Sequence, residues 1–163
     1  MIKGRVQDAI NDQINKELYS AYLYLSMAQY FEARSLKGIA HWFFVQHQEE
    51  VKHAQKFISY LNEKGGRVVL KAIQEPKFEW KSVKEVFEDT YSHEKFITES
   101  IENIMKIAIE ENDFATQNLL NWYIDEQVEE EKNSFELVEK IKFVGEDGYA
   151  LYMLDKELGT RGA

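Results

Sequence analysis

Glu50 and His53 offer a carboxylate and an imidazole three residues apart, inside the stretch QHQEEVKHAQ at residues 46–55. In an α-helix, side chains three positions apart lie on the same face, so these two groups can reach a single metal ion. A lone Glu-x-x-His pair more often belongs to a solvated helix surface. It indicates a metal site only where further ligands reach the same level of the fold.

Helical periodicity dominates the rest of the chain. One proline and eight glycines in 163 residues favour long, uninterrupted helices. Ser82-x-x-Glu85 is a capping-box sequence, and Gly65, Gly66 and Gly145 suit helix ends. The sequence therefore predicts a single all-α domain over 1–163, with helices at about 5–34, 37–64, 82–112, 114–144 and 146–158.

The segment 65–81 contains the only proline, Pro76, and has no helical period. Helices of about 28 residues span about 42 Å at a rise of roughly 1.5 Å per residue. An extended segment of this length reaches about 55 Å at roughly 3.3 Å per residue, so it can run the length of a bundle. The predicted fold class is a four-helix bundle with one long crossover connection and a short fifth C-terminal helix.

Each of the four long helices carries one glutamate near the middle of its apolar stripe, which steps by three and four residues. In an aligned bundle the helix midpoints share one height, whichever way each helix runs. The sequence therefore predicts that six polar side chains converge at one level of the core: Glu17, Glu50, His53, Glu94, Gln127 and Glu130.

Four ionised carboxylates in a dry core carry a large cost in desolvation and mutual repulsion. They must be protonated, admit water or bind cations, and a pair of divalent ions is the simplest of these solutions. Carboxylates with one imidazole suit iron or manganese, since zinc sites more often contain more nitrogen or sulfur ligands. The chain has no cysteine, which excludes thiolate ligands.

A second acidic group borders the first. Glu49 precedes Glu50, and Glu126 and Glu129 flank the stripe of the fourth helix. These three carboxylates form either a solvated acidic surface or a third metal position, and the spacing alone leaves both alternatives open.

The chain resembles the bacterial non-haem ferritins over essentially its full length, including the crossover and the short fifth helix. The resemblance implies a ferritin-like fold. It also implies a ferroxidase that oxidises Fe(II) with dioxygen or peroxide and stores ferric iron as a mineral in a 24-subunit shell. The similarity is carried by ten residues: Glu17, Tyr24, Glu49, Glu50, His53, Glu94, Glu126, Gln127, Glu129 and Glu130.

The resemblance further implies how a di-iron centre is divided among these residues. One iron would be held by Glu17, Glu50 and His53. Glu50 would bridge to a second iron, held by Glu94 and Glu130.

The same resemblance implies roles around this centre. Gln127 would contact the dioxygen side of the iron pair, and Tyr24 would hydrogen-bond near the centre and supply an electron. Haem is not expected, because Lys52 stands where haem-binding relatives carry a methionine. A third iron site, toward the cavity, would be formed by Glu49, Glu126, Glu129 and Glu130.

Composition restricts partners and location. The net charge of −9 argues against binding to nucleic-acid phosphates. The sequence has no run of 18 apolar residues, so no membrane span is expected. The start MIKGRVQDAI has no signal-peptide pattern, so a cytoplasmic protein is expected. Aromatic residues make up 13% of the chain, more than one small bundle core requires, which favours self-association into a homo-oligomer.

Two other functional classes stay open at this point. One is a bundle enzyme that uses a di-metal centre for peroxide reduction or another oxidation, without storage. The other is a structural or partner-binding bundle that holds no metal.

Overall fold

The computed structural model describes residues 1–2 and 4–162. Within these residues it contains five α-helices and no β-strand, which confirms the predicted all-α fold class. No helix in this part of the chain is long and apolar enough to cross a membrane. The helices are α1 (Gly4–Glu32), α2 (Lys37–Glu63), α3 (Val83–Glu110), α4 (Phe114–Val144) and α5 (Gly148–Leu158).

The four long helices form two hairpins, α1 with α2 and α3 with α4, and the segment between α2 and α3 joins them. This segment lies along α1. The Asn11 side chain donates to the carbonyl oxygen of Arg67 at 2.9 Å, and the Ser26 hydroxyl donates to that of Lys77 at 2.7 Å. Side chains of α1 thus bond to backbone carbonyl groups of this segment. The segment is the crossover that the sequence predicts between the two hairpins.

The predicted helix ends at Gly65 and Ser82 are stabilised by caps. Gly65 takes a left-handed φ of 74°, and the N–H of Gly66 bonds the carbonyl oxygen of Leu61 at 2.9 Å, which closes α2. At the start of α3, the Ser82 hydroxyl accepts the N–H of Glu85 at 3.0 Å.

Three helix ends differ from the sequence prediction by two residues. α1 and α3 each end early, where Ser35 and Asn112 take left-handed φ angles of 60° and 53°. α5 begins late, where the Asp147 carboxylate accepts the N–H of Ala150 at 2.8 Å. A left-handed residue stops the helical hydrogen-bond ladder wherever it falls, and non-glycine residues give little warning of it in the sequence.

Two apolar clusters fill the bundle, one toward each end. One contains the rings of Phe31, Phe43 and Phe87, and the other contains Phe57 stacked on Tyr123 with ring centroids 3.9 Å apart. Each long helix runs from one cluster to the other. The buried polar residues of each helix fall mainly between its two apolar segments, so they lie at the middle of the bundle.

Candidate metal centre

The middle level of the bundle holds all six polar side chains that the helix stripes predict. All four long helices contribute to this level, because each one crosses it between the two apolar clusters. Each side chain is buried: Glu17 (1% exposed), Glu50 (1%), His53 (2%), Glu94 (1%), Gln127 (4%) and Glu130 (6%).

Two overlapping groups of ligand atoms form among these residues. Glu17, Glu50 and His53 make one group, and Glu50, Glu94 and Glu130 make the other. Within each group the ligand atoms lie within 4.8 Å of one another. Glu50 belongs to both groups, so its carboxylate can bridge two cations held side by side.

Unpaired polar atoms in the centre fit a pair of cations. Glu17 Oε2, Glu94 Oε2 and His53 Nε2 are buried and have no hydrogen-bond partner. Buried polar atoms are rarely left unsatisfied in native proteins, and Glu17 belongs to one ligand group while Glu94 belongs to the other. The donor set of carboxylate oxygens with one imidazole suits Fe(II) or Mn(II).

The carboxyl groups of the centre resist ionisation. Burial, with repulsion from Glu50, raises the pKa values of Glu17 and Glu94 well above the ordinary range and raises the pKa of Glu130 to about 8. In the metal-free protein these three groups therefore keep their protons to a higher pH than ordinary carboxyl groups do. Divalent cations that bind here displace those protons.

Glu50 and His53 form the charged pair of the metal-free centre, with Glu50 Oε2 and His53 Nδ1 3.1 Å apart. Burial opposes the ionised form of Glu50, but hydrogen bonding and attraction from His53 hold its pKa below the usual value. Burial likewise opposes the imidazolium, but Glu126 and Glu50 outweigh this effect and raise the pKa of His53 to about 11.

Tyr24 and Gln127 both contact Glu94. The Tyr24 hydroxyl donates to Glu94 Oε1 at 3.0 Å, and burial raises the pKa of Tyr24 well above its usual value, so it remains a neutral phenol. Gln127 Nε2 donates to the Glu94 carbonyl oxygen and to Thr98 Oγ1, both at 3.1 Å. The Tyr24 phenol thus contacts the carboxyl group of a candidate ligand, whereas the Gln127 amide group bonds the backbone of that ligand residue.

The second acidic group is brought together in part. Glu49, His53 and Glu126 offer ligand atoms within 4.8 Å of one another, and His53 Nε2 lies 3.7 Å from Glu126 Oε1. Glu49 and Glu126 are half-buried, at the edge of the di-metal centre. Glu129 is exposed and belongs to none of the three ligand groups found among the described residues.

Two buried glutamines support the centre, although the sequence alone did not indicate this role. Gln13 Nε2 donates to Glu17 Oε1 at 3.0 Å, and Gln46 Nε2 donates to Glu50 Oε1 at 3.1 Å. Each glutamine stands four residues before its glutamate, one turn away on the same helix face. That repeated spacing is a signal in the sequence that could have identified both.

Fold and ligands together define the class of four-helix bundles that gather carboxylates around a pair of metal positions. Residues 7–144 match the sequence model of the ferritin family, which is described as "Ferritin-like domain". The chain therefore belongs to the ferritin family, the family of iron-storage proteins that its motifs resemble.

Individual relatives match nearly the whole chain. A probable bacterial non-haem ferritin-like protein of Haemophilus influenzae is 43% identical over 160 residues, covering 98% of this chain and 97% of the relative. The bacterial non-haem ferritin of Campylobacter jejuni is 43% identical over 156 residues, covering 96% and 93%. An open pore ferritin from the archaeon Archaeoglobus fulgidus superposes with a TM-score of 0.97 at 49% identity, covering 99% of this chain and 100% of that one.

Proposed function

We propose that this protein oxidises Fe(II) at the di-metal centre and stores ferric iron as a mineral inside a 24-subunit shell. The observation that carries the proposal is the pair of buried ligand groups that share Glu50, with unpaired oxygens on Glu17 and Glu94. The matches to bacterial non-haem ferritins support the storage half of the proposal.

Iron is the substrate of this centre. Two Fe(II) ions give one electron each to dioxygen, which takes up two protons and leaves as hydrogen peroxide; with peroxide as oxidant the same two electrons yield water. Because the pKa values of Glu17 and Glu94 are raised, Fe(II) binding competes with protonation of these carboxyl groups. The protein supplies hard oxygen ligands and their spacing, while the metal supplies the redox chemistry.

Two neighbouring residues complete the proposed centre. Tyr24 donates a hydrogen bond to Glu94 and would supply a further electron to the oxidant, and Gln127 borders the second ligand group. The half-buried Glu49 and Glu126 would bind a third iron on its way to the storage cavity. The exposed Glu129 would bind iron further toward that cavity.

Storage is tested by mass and by iron content. Size-exclusion chromatography with static light scattering should give a particle of 24 copies of the 19.2-kDa chain, about 460 kDa. After aerobic Fe(II) loading, each subunit should retain far more iron than its three ligand groups can hold. A small oligomer that retains two or three irons per subunit would instead favour an oxidising bundle enzyme without storage. A chain that binds no Fe(II) would favour a structural bundle.

The third position is tested by comparing two neighbouring glutamates on α4. We expect Glu126→Ala to change the ratio of Fe(II) oxidised to dioxygen consumed after the first two irons, because Glu126 belongs to the third ligand group. We expect Glu129→Ala to have a smaller effect, because Glu129 is exposed and outside that group. An oxygen electrode with successive Fe(II) additions measures this ratio. An unchanged ratio in Glu126→Ala would remove the third iron from the proposal.

A further inference from the structure

Arg161, near the C-terminus, reaches the candidate metal centre through one glutamine. Its Nη2 donates to Gln46 Oε1 at 3.0 Å, and Gln46 Nε2 donates to Glu50 Oε1 at 3.1 Å and to Glu130 Oε2 at 2.6 Å. We propose that Arg161 is a positioning residue: it fixes the Gln46 amide and, through it, the oxygens that Glu50 and Glu130 present to metal. This inference rests on the proposed function of the centre.

Arg161 is anchored at both its side chain and its backbone. Its Nη1 donates to the carbonyl oxygen of Trp42 at 3.0 Å, and the guanidinium lies 4.3 Å from the centroid of the Trp42 ring. The Arg161 carbonyl oxygen lies 2.8 Å from His41 Nε2, which donates to it. The arginine is thus bound along the first turns of α2, one turn before Gln46.

A close contact between α5 and the start of α2 brings the tail to this place. The N–H of Ile39 donates to Asp155 Oδ1 at 2.8 Å. A Cβ atom on Gly38 would lie 1.8 Å from the Asp155 carbonyl oxygen, so this approach requires a glycine. Because α5 ends at Leu158, only two residues separate the anchored helix from Arg161.

The Arg161 contact allows only one orientation of the Gln46 amide. A guanidinium only donates hydrogen bonds, so Gln46 must turn its carbonyl oxygen toward Arg161 and its NH₂ group toward the two carboxylates. A flipped amide would set one NH₂ group against the guanidinium and a carbonyl oxygen against Glu50 and Glu130. Gln46 also links α2 to α4, so its orientation fixes ligands from both helices relative to each other.

Arg161 also brings a positive charge toward Glu130, Glu49 and Glu50. Charge alone would oppose the binding of cations, so its loss would tighten metal binding. Loss of a positioning contact instead weakens metal binding, typically by about 10–100-fold for a residue that orients a ligand. The two effects have opposite signs, which makes them separable by experiment.

The test is an anaerobic Co(II) titration of the assembled protein, followed by the visible absorption bands of bound Co(II). We expect Arg161→Leu to weaken the second Co(II) bound per subunit by about tenfold and to change its absorption spectrum. Arg161→Lys should weaken Co(II) binding less than Arg161→Leu does. The lysine ammonium can donate to Gln46, but it lacks the forked guanidinium that also donates to the Trp42 carbonyl oxygen. Arg5→Leu is the control, since Arg5 pairs with Glu110 and with Glu111 on the surface.

A double-mutant cycle shows whether Arg161 acts through Gln46. In a Gln46→Leu background, Arg161→Leu should cause no further weakening of Co(II) binding. Tighter or unchanged Co(II) binding in Arg161→Leu, or an equal loss in the Gln46→Leu background, would overturn the inference. If the leucine variant fails to assemble, Arg161→Lys provides the same comparison. A wild-type protein that does not bind two Co(II) per subunit would refute the proposed centre itself, so the two failures are distinct.

Discussion

Glu50→Ala should reduce the rate of Fe(II) oxidation by more than the roughly 100-fold that loss of an outer-shell partner can cost. Glu50 is the one residue common to both ligand groups, so the substitution removes a ligand from each metal position and the bridge between them. Stopped-flow absorbance of Fe(III) formation, at two Fe(II) per subunit, measures the effect.

The Glu50→Ala protein should remain folded and assembled when iron is absent, because the centre is a small polar break between two large apolar clusters. Loss of the Glu50 carboxylate removes its repulsion of the ionised forms of Glu17 and Glu94, but it also removes the nearest partner of the buried His53 imidazolium, so the two effects on stability oppose each other. Glu50→Gln tests the same ligand with little change in volume, and Glu63→Ala is the control at the exposed end of α2. Oxidation at the wild-type rate in Glu50→Ala would refute the di-metal assignment.

The level of the centre could be predicted from sequence because it depends on helix geometry alone. Glu17, Glu50, Glu94 and Glu130 each interrupt an apolar stripe near the middle of a long helix. Helices of similar length packed side by side bring their midpoints together, so position along each helix determines height in the bundle. The structure places all four glutamates between the two apolar clusters, as this geometry requires.

The contacts that orient the ligands were harder to predict, for two different physical reasons. Gln13 and Gln46 lie one turn before their glutamates, so the information is local, but a buried glutamine has many other uses. Arg161 contacts Gln46 across 115 positions of sequence, and this contact depends on how α5 docks against Gly38. No periodicity within a single helix carries that information.

Phe43→Ala should lower the free energy of unfolding by about 3–5 kcal/mol, the usual cost of removing a buried phenylalanine. The Phe43 ring is fully buried and stacks against Phe31 and Phe87, with ring centroids 5.5 Å and 6.1 Å away. It also lies 5.0 Å from the Trp42 ring. These partners come from α1, α2 and α3, so no single helix can move to fill the cavity without losing contacts to another.

Thermal unfolding of the metal-free protein measures this effect. At roughly 2–4 °C per kcal/mol for a chain of this size, the Tm of Phe43→Ala should fall by about 6–20 °C. The Tm of Phe43→Leu should fall less, and that of Phe114→Ala, at a residue that is 75% exposed in the single chain, should change little. Well below its Tm, Phe43→Ala should still oxidise Fe(II) quickly, because Phe43 belongs to neither ligand group. Glu50→Ala should show the reverse pattern, with slow Fe(II) oxidation and a Tm much closer to that of the wild type. An equal Tm in Phe43→Ala and wild type would mean that this apolar cluster does not hold the helices around the centre.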